Sequence, residues 1–160
     1  NFSTDIEIIH DGEKILNTGG GILSMINSSK DLDFLTLNPD TVWNESYVST
    51  IQKMEKFYFS NSIKNILLLV NKNLSFDKKL KGDFNLLKNI IKKNPQKDLI
   101  YTGCQIINKD LFDSYQVSNF PMSEIWDPLI IQNKLYGYES LESFYHLTNL
   151  GVYKELLKNN

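Results

Sequence analysis

Three consecutive glycines followed by a helical pattern form the stretch of this sequence with the clearest potential for ligand binding. Residues 19–21 leave their backbone N–H groups uncovered by side chains, and the apolar residues of 22–26 have the spacing of an amphipathic helix. The glycines are therefore predicted to lie at a helix start, where unpaired N–H donors and the positive end of the helix dipole can face a flat or charged ligand. For the triplet alone, a flexible turn before an ordinary helix is the favoured alternative.

An aspartate, Asp40, follows the next predicted strand. The apolar residues of 32–37 predict a short buried strand after the helix, and those of 6–9 predict a strand before it, so the three elements form a βαβ unit. Asp40 then lies just beyond the carboxyl end of the second strand, which is the edge where open α/β sheets bind ligands. A carboxylate there can hold Mg²⁺ together with substrate phosphates. An Asx turn or a helix cap after Pro39 is the alternative explanation.

The rest of the pattern also predicts an α/β fold. Residues 63–70 form a nearly continuous apolar run, as a central parallel strand requires, and residues 99–107 predict another strand with Gly103 in its middle. A glycine inside a strand either marks a bulge or lets a ligand approach the backbone, and the spacing does not separate the two. Helical spacing is found in residues 47–54, 122–133 and 152–158.

The composition argues against several classes of protein. With 160 residues, of which 41% are hydrophobic, the chain is expected to form one domain over residues 1–160. No apolar run reaches membrane-spanning length and no leader is present, so a cytoplasmic protein without a membrane partner is expected. All 17 basic residues are lysines and the net charge is −2, which argues against nucleic acid as a partner. The single cysteine, Cys104, is predicted to be a small buried residue.

Five ordered motifs resemble those of the sugar-1-phosphate nucleotidyltransferases, the NDP-sugar pyrophosphorylase family. Residues 17–22 (NTGGGI) and 37–43 (LNPDTVW) are similar to that family's Glu-Thr-Gly-Gly-Gly-Ile and Asn-Gly-Asp-x-Trp motifs. The resemblance is greatest to the branch of the N-acetylmuramate-1-phosphate uridylyltransferases and mannose-1-phosphate guanylyltransferase-like proteins. The other three matches follow in the family's order at residues 81–86 (KGDFNL), 101–106 (YTGCQI) and 125–137 (IWD and KLYG).

The resemblance implies a fold and a set of site residues. The fold is the nucleotide-diphospho-sugar transferase fold, a Rossmann-like, mostly parallel sheet flanked by helices. Asp40 would be the catalytic residue and would hold Mg²⁺. The residues implied to bind the substrates are Thr18, Gly19, Gly20, Gly21, Asn38 and Gly103.

Two departures from the family pattern limit what the resemblance implies. Residues 146–151 (HLTNLG) match the motif with the family's second metal-binding aspartate, but Asn149 stands there and offers a carbonyl oxygen without a charge, so it would be a weakened second metal ligand. His146 in the same motif is expected to be structural or to contact a phosphate. The family's opening Gly-x-Gly-x-Arg phosphate loop and Pro-Lys-Pro signature are absent from the sequence. The chain is therefore expected to be an N-terminally incomplete, C-terminal portion of such a domain.

The resemblance thus implies that the chain supplies the sugar and metal side of a site that converts a nucleoside triphosphate, UTP or GTP, and a sugar-1-phosphate into an NDP-sugar and pyrophosphate. Such a reaction serves nucleotide-sugar biosynthesis, for instance in peptidoglycan recycling. Because the triphosphate side is missing, the isolated chain is expected to be inactive. Three alternatives stay open: a non-catalytic remnant, a subunit of a split enzyme completed by a separately encoded N-terminal segment, and a sugar-phosphate-binding module.

Overall fold

Four α-helices and six β-strands are present in the computed structural model, which describes residues 6–95 and 97–158. The helices are α1 (Asn17–Ser28), α2 (Ser46–Ser60), α3 (Ser123–Ile131) and α4 (Leu150–Lys158). The strands are β1 (Asp33–Leu37), β2 (Asn65–Asn71), β3 (Asn85–Leu87), β4 (Ile90–Lys92), β5 (Leu99–Asn108) and β6 (Gly137–Ser140). Short 3₁₀ helices at Lys72–Leu74 and Lys109–Phe112 follow β2 and β5.

Four of the strands form a mixed sheet in the order β1-β5-β2-β6. Strand β5 is antiparallel to both of its neighbours and β6 is parallel to β2, so β1, β2 and β6 run in one direction. This arrangement confirms the predicted α/β sheet, although only the β2-β6 pair is parallel and the two pairs that include β5 are antiparallel. It also places the carboxyl ends of the three strands at one edge of the sheet. Strands β3 and β4 form a separate hairpin.

Helices cover both faces of this sheet. Along β2, Ile66 and Leu68 pack with α2 on one face, whereas Leu67 and Leu69 pack with α3 and the β3-β4 hairpin on the other. Helices α1 and α3 pack together over Ile107 on the second face. The first six residues of β2 are all buried, as its predicted central place requires, because a strand covered on both faces has no exposed side.

The helices predicted from the spacing of residues 47–54, 122–133 and 152–158 are confirmed as α2, α3 and α4. The apolar stripe of α2 faces the core, since Tyr47 and Met54 are almost fully buried, although Val48 is 55% exposed. Pro128 lies inside α3 without ending it. Within the described ranges, none of the helices combines the length and the hydrophobicity that crossing a bilayer requires.

The predicted first strand is wrong. Residues 6–10 form no strand, and Ile6 and Ile8 are 77% and 76% exposed. The βαβ unit expected around α1 is therefore not formed within the described residues, where β1 is an edge strand of the sheet. The prediction that β1 is buried is also wrong. Leu35 and Leu37 are 47% and 46% exposed, on a strand that pairs with only one neighbour within the described residues.

Candidate functional site

The first two glycines of α1 are packed against the loop that leads to α3. The N–H groups of Gly19 and Gly20 both donate to the carbonyl oxygen of Phe120, at 2.9 and 3.2 Å. A Cβ on Gly19 would lie 2.4 Å from the Phe120 ring, and one on Gly20 would lie 1.9 Å from the carbonyl oxygen of Ser118. The predicted helix start is confirmed, but the expectation of unpaired donors is wrong for these two N–H groups. Their missing side chains allow two chain segments to meet.

Gly21 is the one glycine of the triplet that lies on a cavity. The cavity has a volume of about 400 Å³ and lies between α1 and β1, within the range of roughly 300–1,000 Å³ that small-molecule sites occupy. A Cβ on Gly21 would meet nothing within 4 Å. Thr18 also lines the cavity, and its Oγ1 accepts a hydrogen bond of 3.2 Å from the N–H of Met122. Its hydroxyl hydrogen therefore remains available to a ligand.

The cavity has a polar end and an apolar floor. Residues from the start of α1 and from the segment just after β1 line the cavity together. Asn17, Thr18 and Asn38 form this polar end. The apolar floor is formed by Ile22, Met25, Ile26, Phe34, Leu35 and Leu37. Such a combination suits a ligand with one flat apolar part and one polar part.

Gly103 makes room for Asn38. It has a φ of +88° and lies where the pairing of β5 with β2 shifts register, so it marks an irregularity in the strand. A Cβ on Gly103 would lie 2.6 Å from the Cβ of Asn38, whose N–H donates to the carbonyl oxygen of Gly103 at 2.9 Å. The Trp43 indole N–H donates to the carbonyl oxygen of Asn38 at 3.0 Å. Asn38 is thereby held from two sides at the polar end of the cavity.

Asp40 lies outside the cavity lining and beside His146. The Oδ1 atom of Asp40 is 3.7 Å from Nδ1 of His146, and the Asp40 side chain is 49% exposed. The carbonyl oxygen of Asp40 accepts a hydrogen bond of 2.8 Å from Leu147, and Thr41 pairs with His146 in an antiparallel bridge. The structure thus brings Thr18, Gly21 and Asn38 together at one cavity and places the carboxylate of Asp40 against a different segment.

Asn149 has partners in its own turn. Its Oδ1 accepts a hydrogen bond of 3.1 Å from the N–H of Val152 at the start of α4, and its Nδ2 donates to Oγ1 of Thr148 at 3.2 Å. Thr148 in turn donates to a carboxylate oxygen of Asp77. Among residues 6–95 and 97–158, no group of three or more His, Cys, Asp and Glu side chains is placed to hold a metal ion. The pairing of Asp40 with Asn149 as metal ligands stays a prediction.

Two buried groups beside the site are held in their neutral forms. Burial raises the pKa of the Cys104 thiol to about 12, so the thiol stays protonated at neutral pH. The residue is fully buried, which confirms the sequence prediction. Burial and then the nearby Glu142 carboxylate raise the pKa of Tyr47 to about 12, and its hydroxyl donates to the carbonyl oxygen of Ser143 at 3.0 Å. This bond ties α2 to the segment that carries His146.

Solved structures with a similar architecture place this chain among known folds. HddC from Yersinia pseudotuberculosis matches with a TM-score of 0.66 at 15% identity, over 92% of this chain and 64% of that one. The inositol-1-phosphate CTP transferase from T. maritima matches with a TM-score of 0.64 at 12% identity, over 89% and 62%. A UDP-glucose pyrophosphorylase in complex with UDP-glucose matches with a TM-score of 0.65 at 14% identity, over 92% and 64%. The chain has the nucleotide-diphospho-sugar transferase fold.

The nucleotide-diphospho-sugar transferase fold was predicted from the sequence motifs and is confirmed. Identities of this size show the fold and do not show the reaction. The chain spans less than two thirds of the length of these structures. No family model matches the sequence, and no curated protein does either.

The surroundings of His146 are the part of this nucleotide-diphospho-sugar transferase fold that sequence reasoning missed. The His146 ring stacks on the buried Phe144 ring, with centroids 5.8 Å apart and planes 8° apart. Residues two apart in an extended segment share a face, so the Phe-x-His spacing was an available signal. The segment lies in the match to the aspartate motif, where His146 precedes Asn149 by three residues.

Proposed function

We propose that this chain forms part of a sugar-1-phosphate nucleotidyltransferase, which makes an NDP-sugar and pyrophosphate from a nucleoside triphosphate and a sugar-1-phosphate. The observation that supports it most is the cavity between the glycine-containing start of α1 and the end of β1, in a chain with this fold. The cavity lies at the edge of the sheet where β1 ends, which is the edge that α/β sheets use for ligands. The UDP-glucose pyrophosphorylase structure with a similar fold holds UDP-glucose.

The proposal assigns roles to the residues that line the cavity. Gly21 leaves space for a base or sugar to contact the backbone of α1, and the apolar floor packs against the ring. Asn38 and Thr18 offer an amide and a hydroxyl to the polar groups of the same ligand. In the reaction, an oxygen of the sugar-1-phosphate attacks the α-phosphorus of the triphosphate and pyrophosphate leaves. Such chemistry depends on positioning and charge neutralisation and needs no nucleophile from the protein.

Several finer points remain predictions of the motif resemblance. They are the branch of N-acetylmuramate-1-phosphate uridylyltransferases and mannose-1-phosphate guanylyltransferase-like proteins, the use of UTP or GTP, and a place in peptidoglycan recycling in the cytoplasm. The participation of Asp40 and of Mg²⁺ belongs to the same group. A bound Mg²⁺ would neutralise phosphate charge, and the half-exposed carboxylate of Asp40 is of the right type to hold it.

Ligand binding at the cavity tests the proposal. Replacing Gly21 with leucine should weaken binding of UTP, GTP or the corresponding NDP-sugars about tenfold or more, because the Cβ at this position meets nothing within 4 Å and the rest of the side chain takes up space at the cavity. Calorimetric titration of the intact chain with each nucleotide and each sugar-1-phosphate measures the effect.

A matched control for this variant is Ser49→Leu, which adds the same side chain to an exposed position of α2. This control should bind as the unaltered chain does. Equal affinity of the Gly21→Leu variant and the unaltered chain would contradict the proposed site. Binding of sugar-1-phosphates without any binding of nucleotide would favour the sugar-phosphate-binding module.

A second candidate function is a subunit of a split enzyme, and the outer edge of β1 favours it. This strand pairs with β5 on one side, and no strand lies on its other side within the described residues. An unpaired edge with exposed Leu35 and Leu37 can accept a further strand, and charged residues at such an edge prevent this pairing. The proposed occupant is a separately encoded segment with a Gly-x-Gly-x-Arg phosphate loop.

Pyrophosphate release tests the split enzyme. The chain alone should release no pyrophosphate from UTP or GTP with candidate sugar-1-phosphates, and a mixture with such a segment should release it. Leu35→Lys should weaken the association of the chain with the segment about tenfold or more, because a lysine at the edge opposes strand addition; association is measured without nucleotide, since Leu35 also lines the cavity. Val48→Lys, the same kind of change on exposed α2, should not. Release by the chain alone contradicts the split enzyme, and no release from any mixture supports a non-catalytic remnant.

A further inference from the structure

The ring nitrogen Nδ1 of His146 is a buried polar atom without a partner. In the part of the chain that the structure describes, it is the only buried side-chain nitrogen or oxygen with no hydrogen bond. It lies 3.7 Å from Oδ1 of Asp40, which is beyond hydrogen-bond distance. Buried polar groups of proteins nearly always have a partner, so an unpartnered one calls for a water, an ion or a ligand beside it.

The backbone holds these two side chains in place. The segment around Asp40 and the segment around His146 run side by side, because Thr41 bridges His146, Leu147 donates to Asp40 and Val42 donates to Tyr145. The Phe144 ring stacks against the imidazole and fixes its plane. Two donor atoms on paired extended segments keep their separation without a ligand, so little ordering is required when a ligand binds.

The separation and type of these atoms match a metal site. Imidazole nitrogens and carboxylate oxygens bind divalent ions at about 2.0–2.2 Å, so two ligands of one ion lie less than about 4.4 Å apart. The 3.7 Å between Oδ1 and Nδ1 satisfies this limit. A site with one nitrogen and one oxygen ligand favours Mn²⁺ or Zn²⁺ over Mg²⁺, which prefers oxygen ligands alone and gives up its waters reluctantly.

Asn149 is the less suitable partner for the same ion. Its Oδ1 already accepts the hydrogen bond from Val152 that begins α4, and its Nδ2 is a donor and cannot ligate a metal. By contrast, Nδ1 of neutral His146 offers a free lone pair when its proton is on Nε2. The available donor beside Asp40 is therefore the histidine.

We propose that Asp40 and His146 bind one divalent transition-metal ion through Oδ1 and Nδ1, and that Asn149 is not a ligand. Water or a phosphate oxygen of a substrate supplies the remaining ligands, since Asp40 is half exposed. This ion takes the place that the motif resemblance gives to Mg²⁺ at Asp40, so the inference deepens the proposed function by naming another class of metal. The site is tested with the metal alone, so its outcome does not depend on whether the nucleotidyltransferase proposal holds.

Mn²⁺ binding to the intact chain tests this site. Electron paramagnetic resonance of free Mn²⁺ should show binding that Asp40→Asn and His146→Gln each weaken by about tenfold or more, because even the loss of an outer partner of a metal ligand costs that much. Asn149→Ser should bind like the unaltered chain, because serine begins a helix as well as asparagine does. A large excess of Mg²⁺ should displace little Mn²⁺.

Proton NMR of the two histidines separates this site from adventitious binding. Substoichiometric Mn²⁺ should broaden the ring signals of His146, assigned with His146→Gln, and leave those of the exposed His10 sharp. Urea unfolding of every variant confirms that it is folded. The proposal is overturned if Asn149→Ser weakens binding while His146→Gln does not, if His10 broadens as much as His146, or if no Mn²⁺ binds at millimolar concentration.

Discussion

Replacing Gly20 with alanine should destabilise the protein by about 3 kcal/mol, whereas the same change at Gly21 should be neutral or stabilising. The Cβ of an alanine at position 20 would lie 1.9 Å from the carbonyl oxygen of Ser118 and 3.0 Å from its carbonyl carbon. Both atoms belong to the backbone, so no side-chain rotation relieves the overlap. Either α1 or the segment before α3 must move.

The neighbouring position isolates this effect from helix propensity. Alanine stabilises a helix interior by about 0.5–1 kcal/mol relative to glycine, and this gain applies at both positions. At Gly21 no atom lies within 4 Å of the new Cβ, so only the gain remains. The two variants therefore differ only in where one methyl group lies, at neighbouring positions about 100° apart around the helix.

Thermal and urea unfolding followed by circular dichroism measure the difference. For a chain of this size, about 3 kcal/mol corresponds to a fall in Tm of roughly 6–12 °C. The Gly21→Ala variant should melt at or slightly above the Tm of the unaltered chain. If both variants changed stability equally, the close approach of residues 118–120 to α1 would be refuted, and with it the assignment of Gly21 as the cavity glycine.

Replacing Phe144 with alanine should cost about 3–5 kcal/mol, the largest effect expected for a single residue of this site. Phe144 is 1% exposed and packs in a buried cluster with Val70 and Ile100. Its removal leaves a cavity beneath the His146 ring, whose stacking partner is lost. A protein interior fills such a cavity only in part, so the cost exceeds the loss of hydrophobic transfer free energy.

The matched control is Phe59→Ala, the same chemical change at a side chain that is 56% exposed on α2. It should cost about 1 kcal/mol or less, since half of the ring already contacts water. Urea unfolding at neutral pH gives both values. Similar costs for the two variants would show that the cluster of Val70, Ile100 and Phe144 is not a packed core.

The metal site and this core cluster are linked. In the fraction of Phe144→Ala protein that stays folded, the imidazole of His146 loses the surface that fixes its plane. Mn²⁺ affinity of that variant should therefore fall, although neither proposed ligand is changed. The effect follows from preorganisation, because a ligand that must be ordered on binding contributes less affinity.

The layers of the fold could be predicted from the sequence because burial follows local periodicity. A strand that is covered on both faces appears in the sequence as a continuous apolar run, and β2 contains such a run. A helix on one face shows a 3.6-residue stripe, and α2 does so through Tyr47 and Met54. The wrong prediction of a strand at residues 6–10 follows from the same reliance on local pattern. An apolar run indicates that a segment tends to be buried, but it does not show that a partner strand is present.

Less of the candidate site than of the fold could be predicted from the sequence. The triplet at residues 19–21 looks uniform, yet two of its glycines serve packing and one lies on a cavity. The difference depends on residues 118–120, about a hundred positions away in the chain. Likewise, the strand irregularity at Gly103 lies where Asn38 approaches its backbone, and neither residue encodes the contact alone.

By itself, the sequence determined an α/β sheet with helices on both faces, a helix that begins at the glycine triplet and an aspartate just after β1. Only the tertiary structure decided which glycine lies on the cavity, that β1 is an edge strand, and that the carboxylate of Asp40 lies beside His146. The physical reason is the range of the interactions. Periodicity and turn residues determine local structure over a few residues. Side-chain packing and contacts between polar atoms join residues that are distant in the chain.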